Sequence, residues 1–428
     1  MIELTSEDSQ YMYEIVQRII NECGPRMPCS VQEAKAAEII SAELKKSCDN
    51  VDIEPFNCQP RAFLGYIKIN LILIFLSFIL FFMIPFDITH YWEEIIIWVS
   101  FILNLVVIII IWNEFFNYRE FIDPIFKKKQ SQNVIGTIKP VGERTKLLIF
   151  SGHHDSALQF NLLRYLKIGY PIIIFIGLGI MVLWSVTSFI MLLISIIGLF
   201  VYRSFFIFNL TLFIIGIPAF IGLFLFISSG EKANKVPGAV DNLSAVVIIL
   251  TLAKYLKKRK EIIPKNTEIK LISFGCEEAG LRGAYRYVKK HQNELKSLDA
   301  ECVNLDAIQS KTKISVIDFE PSTRTKHSDI VVKKIKAASK LVNVDISASS
   351  LGGSNLLEKI IGQISGGTDA TAFSKAGIKA ANISAMNLKK ILKFYHQPSD
   401  TLDKIEKGSL EQVLKILISF VKNENIMK

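Results

Sequence analysis

Ile269-Lys270-Leu271-Ile272-Ser273-Phe274-Gly275-Cys276-Glu277-Glu278 is an apolar run that ends on two adjacent carboxylates. Ile269 to Phe274 reads as a buried strand, and a helical segment comes after it. Like charges side by side raise each other's pKa and repel, so something must hold the pair. A metal cation does so: one carboxylate ligates it while the other stays free to move a proton. A solvated Glu pair opening a helix is the plain alternative. The choice between them rests on the residues that end the other strands.

The chain has 428 residues, half of them hydrophobic, and a formal charge of +10. The apolar residues concentrate at 69–84, 95–112 and 171–228, and the rest is normally polar. Lys and Arg cluster beside the apolar runs. A membrane surface therefore accounts for the basic charge more economically than nucleic acid, and no nucleic-acid partner is expected. The six cysteines, Cys23, Cys29, Cys48, Cys58, Cys276 and Cys302, form no C-x-x-C pair. The polar, acidic first residues are no signal peptide, so the thiols suggest a reducing compartment.

Helical spacing through Met12, Ile15, Val16, Ile19 and Ile20 predicts a helix over 7–23, closed by Cys23-Gly24-Pro25-Arg26. A second amphipathic helix is expected over 31–47 and a strand over Val51–Phe56. Two runs of Ile, Leu and Phe then interrupt this start, with Asn104 the one strongly polar residue in the second. With their flanks they reach the roughly 20 residues that span a bilayer, and neither shows a polar face. Trp92, Trp98 and Trp112 suit interfacial anchoring. Strands are expected again at Asn133–Ile138 and Leu147–Phe150. The second block shows three runs, 171–186, 187–202 and 205–228, with Arg203 before the third and Gly216-Ile217-Pro218 breaking it. After 231 strands and helices alternate to the end.

The expected organisation is one α/β domain, an α/β/α sandwich with a mixed central sheet, interrupted twice. Its parts are 1–65, 117–160 and 231–428. The transmembrane insertions are 66–116 and 161–230.

Chemistry-bearing residues fall at the strand ends. His153-x-Asp155 comes after one strand, Asp241-Asn242 opens a helix, Glu277-Glu278 and Asp306 end two more strands, and His396 sits in a late loop. In an open α/β sheet the loops at strand ends form the ligand crevice. His153 and His396 with Asp241, Glu277, Glu278 and Asp306 there make a nitrogen and oxygen site that suits a borderline metal such as zinc. Asp155 can accept the second ring N–H of His153 and fix its tautomer. The i, i+2 spacing favours His153 over His154 as the partner of Asp155.

These motifs make the chain resemble the co-catalytic di-zinc aminopeptidases, a family of zinc exopeptidases that includes carboxypeptidases and, as relatives, glutaminyl cyclases. The resemblance runs through Gly24-Pro25-Arg26, Gly152-His153-His154-Asp155-Ser156, Gly238-Ala239-Val240-Asp241-Asn242, Glu277-Glu278, Asn304-Leu305-Asp306 and Tyr395-His396-Gln397-Pro398-Ser399-Asp400-Thr401. It implies two Zn2+ ions: His153 and Asp306 on one, Glu278 and His396 on the other, and Asp241 bridging. It implies Glu277 as general base, Asp155 as partner of His153, and a peptide substrate losing its N-terminal residue. Two departures stand out. Ala370 comes after Asp369 where the family often has His, and the block 161–230 replaces a short loop. The other readings are a peptidase-like scaffold or receptor without metals, a one-zinc cyclase-like acyl enzyme, and a peptide transporter.

All motifs must meet in one site, so each block must cross the bilayer an even number of times. Arg61, Lys68, Arg119, Lys127, Lys128, Lys129, Arg164, Lys167, Lys232 and Lys235 flank the blocks on the peptidase side, whereas the 85–94 loop has no Lys or Arg. The positive-inside rule then expects a multi-pass protein of a prokaryotic plasma membrane with its peptidase domain in the cytoplasm.

Overall fold

The computed structural model describes residues 4–84, 89–167, 169–199, 202–227, 235–350, 362 and 365–424. Lys232 and the 85–88 part of the polar loop, both invoked for the membrane topology, lie outside the described residues. The chain divides into two compact units, one of Met1–Pro60, Lys127–Gln159 and Ser229–Lys428, the other of Arg61–Phe126 and Phe160–Ser228.

The first unit is built on a mixed sheet. Its strands are β1 (Asn50–Cys58), β2 (Lys129–Ile138), β3 (Lys146–His153), β4 (Thr267–Phe274), β5 (Glu301–Ile308), β6 (Ser315–Glu320), β7 (Thr325–Lys326), β8 (Ser347–Ser350) and β9 (Lys379–Ala385). The order is β1-β2-β4-β3-β5-β9-β6-β7, with β8 beside β6. β4, β3, β5 and β9 run parallel at its centre, and β1, β2 and β6 join antiparallel. The central strands are buried on both faces: in β4, Ile269 and Leu271 enter one core and Ile272 and Phe274 the other, while Lys270 pairs with Glu294 at 2.9 Å.

Alternate residues feed two cores. Leu148 and Phe150 pack with the helices Ser6–Cys23, Val31–Lys45, Ser244–Lys258, Asp329–Leu341 and Ser409–Lys422. Leu147 and Ile149 pack with Arg282–Ser297 and Ala370–Lys375. The result is the expected α/β/α sandwich. Local signals set the first helices: Thr5 and Asp8 form a capping box, and Ser30 accepts from the Glu33 amide.

The second unit is helical. Ala62–Phe82, Tyr91–Phe116, Gly169–Ile196 and Arg203–Phe224 are each long and apolar enough to cross a membrane, and no more than a third of each apolar window is buried. Ala239–Lys258 also passes on length and composition but is 89% buried, so it belongs to the core of the first unit. Polar side chains of the helical unit face its interior. Ser77 accepts from Trp184 Nε1 at 3.0 Å and Asn104 Nδ2 at 3.2 Å, and Asn104 also donates to Ser188 at 3.0 Å.

The three runs expected in the second block are two helices. Residues 181–196 hold no Gly or Pro, so the first run continues into the second as one helix of 28 residues, about 42 Å long. It ends where Gly198 adopts φ +80°. Gly216 and Pro218 do not turn the chain back; Tyr202–Phe224 is continuous with Pro218 inside it. A proline costs a helix one hydrogen bond, which need not end it.

The turn that carries Glu277 and Glu278 is clamped from below. Asn133 of β2 accepts from the Gly275 amide at 3.2 Å and donates to Gly283 O at 3.0 Å. A Cβ on Gly283 would overlap Gly275 O and lie 2.5 Å from Asn133 Oδ1. Backbone on one side and a bonded amide on the other leave it no room. Gly283→Ala is expected to cost about 1–3 kcal/mol. Thermal unfolding of the full chain measures it, and an unchanged midpoint would show that the turn is not clamped here.

Candidate metal centre

The C-terminal ends of β4, β3 and β5 are neighbours, so the residues just past these strands share one edge of the sheet. Register aligns them: His153 pairs with Phe274, and Ser151 with Asn304. His153 ends β3, Glu277 and Glu278 come just after β4, and Asp306 lies near the end of β5. Asp241 comes from the segment before Ser244–Lys258, and His396 from the loop after β9. All six sequence-predicted ligand and base residues meet there.

Asp241 is the centre of the arrangement. Its Oδ1 lies 3.3 Å from His153 Nε2, and its Oδ2 lies 3.3 Å from His396 Nε2. His396 Nε2 is also 3.4 Å from Glu278 Oε1, and His153 Nε2 is 3.7 Å from Glu277 Oε2. Donor atoms of His153, Asp241 and Asp306 lie within 4.8 Å of one another, as do those of Asp241, Glu278 and His396. Each trio can hold a metal ion, and Asp241 serves both. His154 takes no part: its Nδ1 lies 2.9 Å from Ser273 Oγ.

Asp155 sits 3.3 Å from His153 Nδ1. Its two oxygens also accept from the Glu277 amide at 3.1 Å and the Glu278 amide at 3.0 Å. It thus fixes the imidazole of β3 and the backbone after β4 together, a role wider than the sequence suggests.

Three contributors were not assigned from sequence. Arg26 is fully buried and donates to the carbonyls of His154, Gly24, Pro237 and Gly238. It ties the end of the first helix to the segments leading into His153 and Asp241. Asp400 accepts from the amides of Val240 at 2.8 Å and Asp241 at 3.2 Å. Asp369 is buried, and neither carboxylate oxygen has a hydrogen-bond partner among the described residues. Arg26, Asp369 and Asp400 all lie in motifs that were visible, but their partners are charges or main-chain atoms that leave no mark in the sequence.

The electrostatics are those of anions packed together. Burial, then repulsion by Glu278, Asp369 and Asp306, holds Glu277 well above the usual carboxylate range. Burial and Asp241 do the same to Glu278, and raise Asp306 to about 7. Burial raises Asp400 to about 8. Burial opposes the charge on His153, but Glu277, Asp155 and Asp241 outweigh it and raise its pKa. Asp241 is also buried, yet its two histidine partners hold it below the usual range. A nitrogen and oxygen donor set with this excess of negative charge fits one or two divalent cations.

Residues 227–421 match the model of Peptidase family M28. Aminopeptidase YwaD of Bacillus subtilis (strain 168) is 29% identical over 179 residues, which are 41% of this chain and 35% of that protein. The chain thus spans only 35% of the length of the curated relative it matches. An aminopeptidase from Aneurinibacillus sp. strain AM-1 superposes with TM-score 0.54 at 16% identity, covering 97% of this chain and 93% of that one. BSAP, a zinc aminopeptidase from Bacillus subtilis, gives 0.53 at 16%, covering 97% and 95%. Fimbriiglobus ruber glutaminyl cyclase gives 0.54 at 12%, covering 99% and 97%. At these identities the superpositions show a shared fold.

Carboxylates whose pKa is raised by folding bind more protons folded than unfolded, so their contribution to stability falls as pH rises. His153, also raised, acts in the same direction. Metal-free protein is therefore expected to lose thermal stability between the usual carboxylate range and the values of about 7 and 8 for Asp306 and Asp400. A divalent cation should flatten that slope. Unfolding midpoints with chelator and with added cation, measured from about pH 5 to about pH 8.5, test it. A chelated protein that gained stability over this range would refute the electrostatic account.

The match over 227–421 takes in Asp241, Glu277, Glu278, Asp306 and His396, and the resemblance to the co-catalytic zinc exopeptidases read from the motifs is borne out.

Proposed function

We propose that the protein is a membrane-embedded zinc exopeptidase that removes N-terminal residues from peptides. The observation that carries the reading is Asp241, set between His153 and His396 with one oxygen toward each. Such a carboxylate suits a bridge between two zinc ions, with Asp306 completing one ligand set and Glu278 the other. Bound there, zinc polarises the scissile carbonyl and makes water more acidic.

The chain's own residues supply the rest. Glu277 is free of the ligand role and is only partly buried. It takes a proton from the attacking water and gives it to the leaving amine. Asp155 orients His153 and, through the Glu277 amide, the base itself. The family resemblance favours an aminopeptidase among the exopeptidases. A metal-free scaffold accounts poorly for a chain that keeps every ligand and the base. A one-zinc cyclase leaves half of the paired ligand set unused.

Four apolar helices of the second unit serve as membrane spans, two in each insertion. Two is even, so the chain returns to one side after each insertion, as a single site requires. Arg203 is the one basic residue in the connections on the opposite side among the residues described. The basic residues beside the insertions favour a peptidase domain in the cytoplasm.

Glu277→Gln is expected to retain its zinc and lose about 100- to 10,000-fold in kcat. Asp241→Ala should lose both ions, because it serves both. Metal analysis and turnover of free peptides by the purified proteins decide it. Near-normal turnover by Glu277→Gln would end the proposed mechanism, and an Asp241→Ala protein with full metal would end the bridge.

For the topology, single cysteines at Thr89 and Lys128, both exposed, can be offered an impermeant thiol reagent on intact cells. The cysteine at 89 should react and that at 128 should not. The opposite pattern would place the peptidase outside.

A further inference from the structure

Three of the six cysteines converge on one point, although they are far apart in sequence. Cys29 Sγ lies 3.2 Å from Cys58 Sγ and 3.4 Å from Cys276 Sγ, and Cys58 and Cys276 are 3.4 Å apart. Cys29 comes from the turn between the first two helices, Cys58 ends β1, and Cys276 precedes Glu277. Cys58 and Cys276 are fully buried, and Cys29 is partly exposed.

The surroundings hold these segments in place. Glu33, buried, accepts from the amide of Cys29 at 2.7 Å and of Cys276 at 2.9 Å. Cys29 and Cys276 both adopt positive φ, +58° and +54°, which costs a non-glycine residue energy. Hydrogen bonds from Cys276 and Cys29, with a smaller contribution from the positive charge of Arg282 and Arg286, hold the Cys58 thiol below its ordinary range against its burial.

We propose that Cys29, Cys58 and Cys276 form a second metal site, distinct from the nitrogen and oxygen centre, that takes a thiophilic closed-shell cation, Cu+ or Zn2+. Soft thiolates select such ions. A disulfide joins two sulfurs at about 2.05 Å and leaves the third unused, whereas this trio is nearly equilateral and suits one central atom. Metal–sulfur bonds of about 2.3 Å require sulfurs about 3.8 Å apart, so each edge of the triangle opens by about half an ångström. Each coordinating thiol loses its proton to water as its bond to the metal forms, and no electron is transferred. Cu+ is satisfied by the three sulfurs, and Zn2+ adds a water on the exposed side of Cys29. The site requires reduced thiols, consistent with six free cysteines.

The test uses the full chain in detergent, reduced, stripped with chelator and titrated with Cd2+ without oxygen. A thiolate-to-cadmium charge-transfer band should rise and saturate at about one equivalent. It should persist in Asp241→Ala, because oxygen and nitrogen donors give no such band. It should vanish in Cys58→Ser and in Cys29→Ser, each checked for folding by its unfolding midpoint. Zn2+ and Cu+ should each displace the cadmium. Absence of the band in folded wild-type protein would overturn the site, as would a band that survives both serine variants. Displacement by neither Zn2+ nor Cu+ would overturn the ligand class. The readout does not depend on peptidase activity, so it stands or falls apart from that proposal.

Discussion

One carboxylate holds the candidate centre together. Asp155 is buried, and it lies against the imidazole of His153 while accepting from two consecutive amides, those of Glu277 and Glu278. Parallel strands β3 and β4 fix the height of these groups, but hydrogen bonds along the strands stop short of the turn beyond Phe274. Asp155 extends the pairing past the strand ends. It therefore aligns His153, Glu278 and Glu277, two proposed ligands and the proposed base, with a single side chain.

The same logic is repeated around Asp241. Asp400 holds its backbone, and Arg26 holds the carbonyls of Pro237 and Gly238 just before it. Bonds from two buried side chains thus go to main chain rather than to any of the clustered donor groups. Their effect is to bring a loop that comes after a long helical block to within 3.3 Å of two histidines. Burying so many anions together is costly unless positive charge enters. The fold supplies the rigidity and leaves the charge imbalance for a cation to settle.

This division of labour decides how much was legible in the sequence. The central strands could be read because burial on both faces enriches them in apolar residues, as in Leu147–Phe150 and Ile269–Phe274, and Glu277-Glu278 stood out after the second. His153 could be separated from His154 by the alternation of an extended chain. Arg26 and Asp400 were visible as letters in motifs, but their partners are backbone amides and carbonyls, which every residue carries. The convergence of Cys29, Cys58 and Cys276 was invisible because sheet order β1-β2-β4, not sequence spacing, brings their segments together. The two-helix form of 161–230 was misread for a different reason. Composition marked Arg203 and Pro218, whereas the chain turns near Gly198 and carries Pro218 within a helix.

That helical block separates His153 from Asp241, which sets a condition on chain geometry. An inserted segment leaves its host undisturbed when it departs and returns at nearly the same place. The second insertion meets this condition within its own unit. Phe160 pairs with Ile227 in an antiparallel bridge, the Asn161 amide donates to Phe226 O at 2.8 Å, and the rings of Phe160 and Phe226 lie 4.4 Å apart. The first insertion closes in a similar way, through a cluster of Ala62, Ile110 and Ile122 with Tyr66 and Phe126 packed on it. Each excursion is thus tied off at its neck. Closing each neck inside the insertion also moves the entropic cost of the loop onto contacts that the helical unit makes for itself.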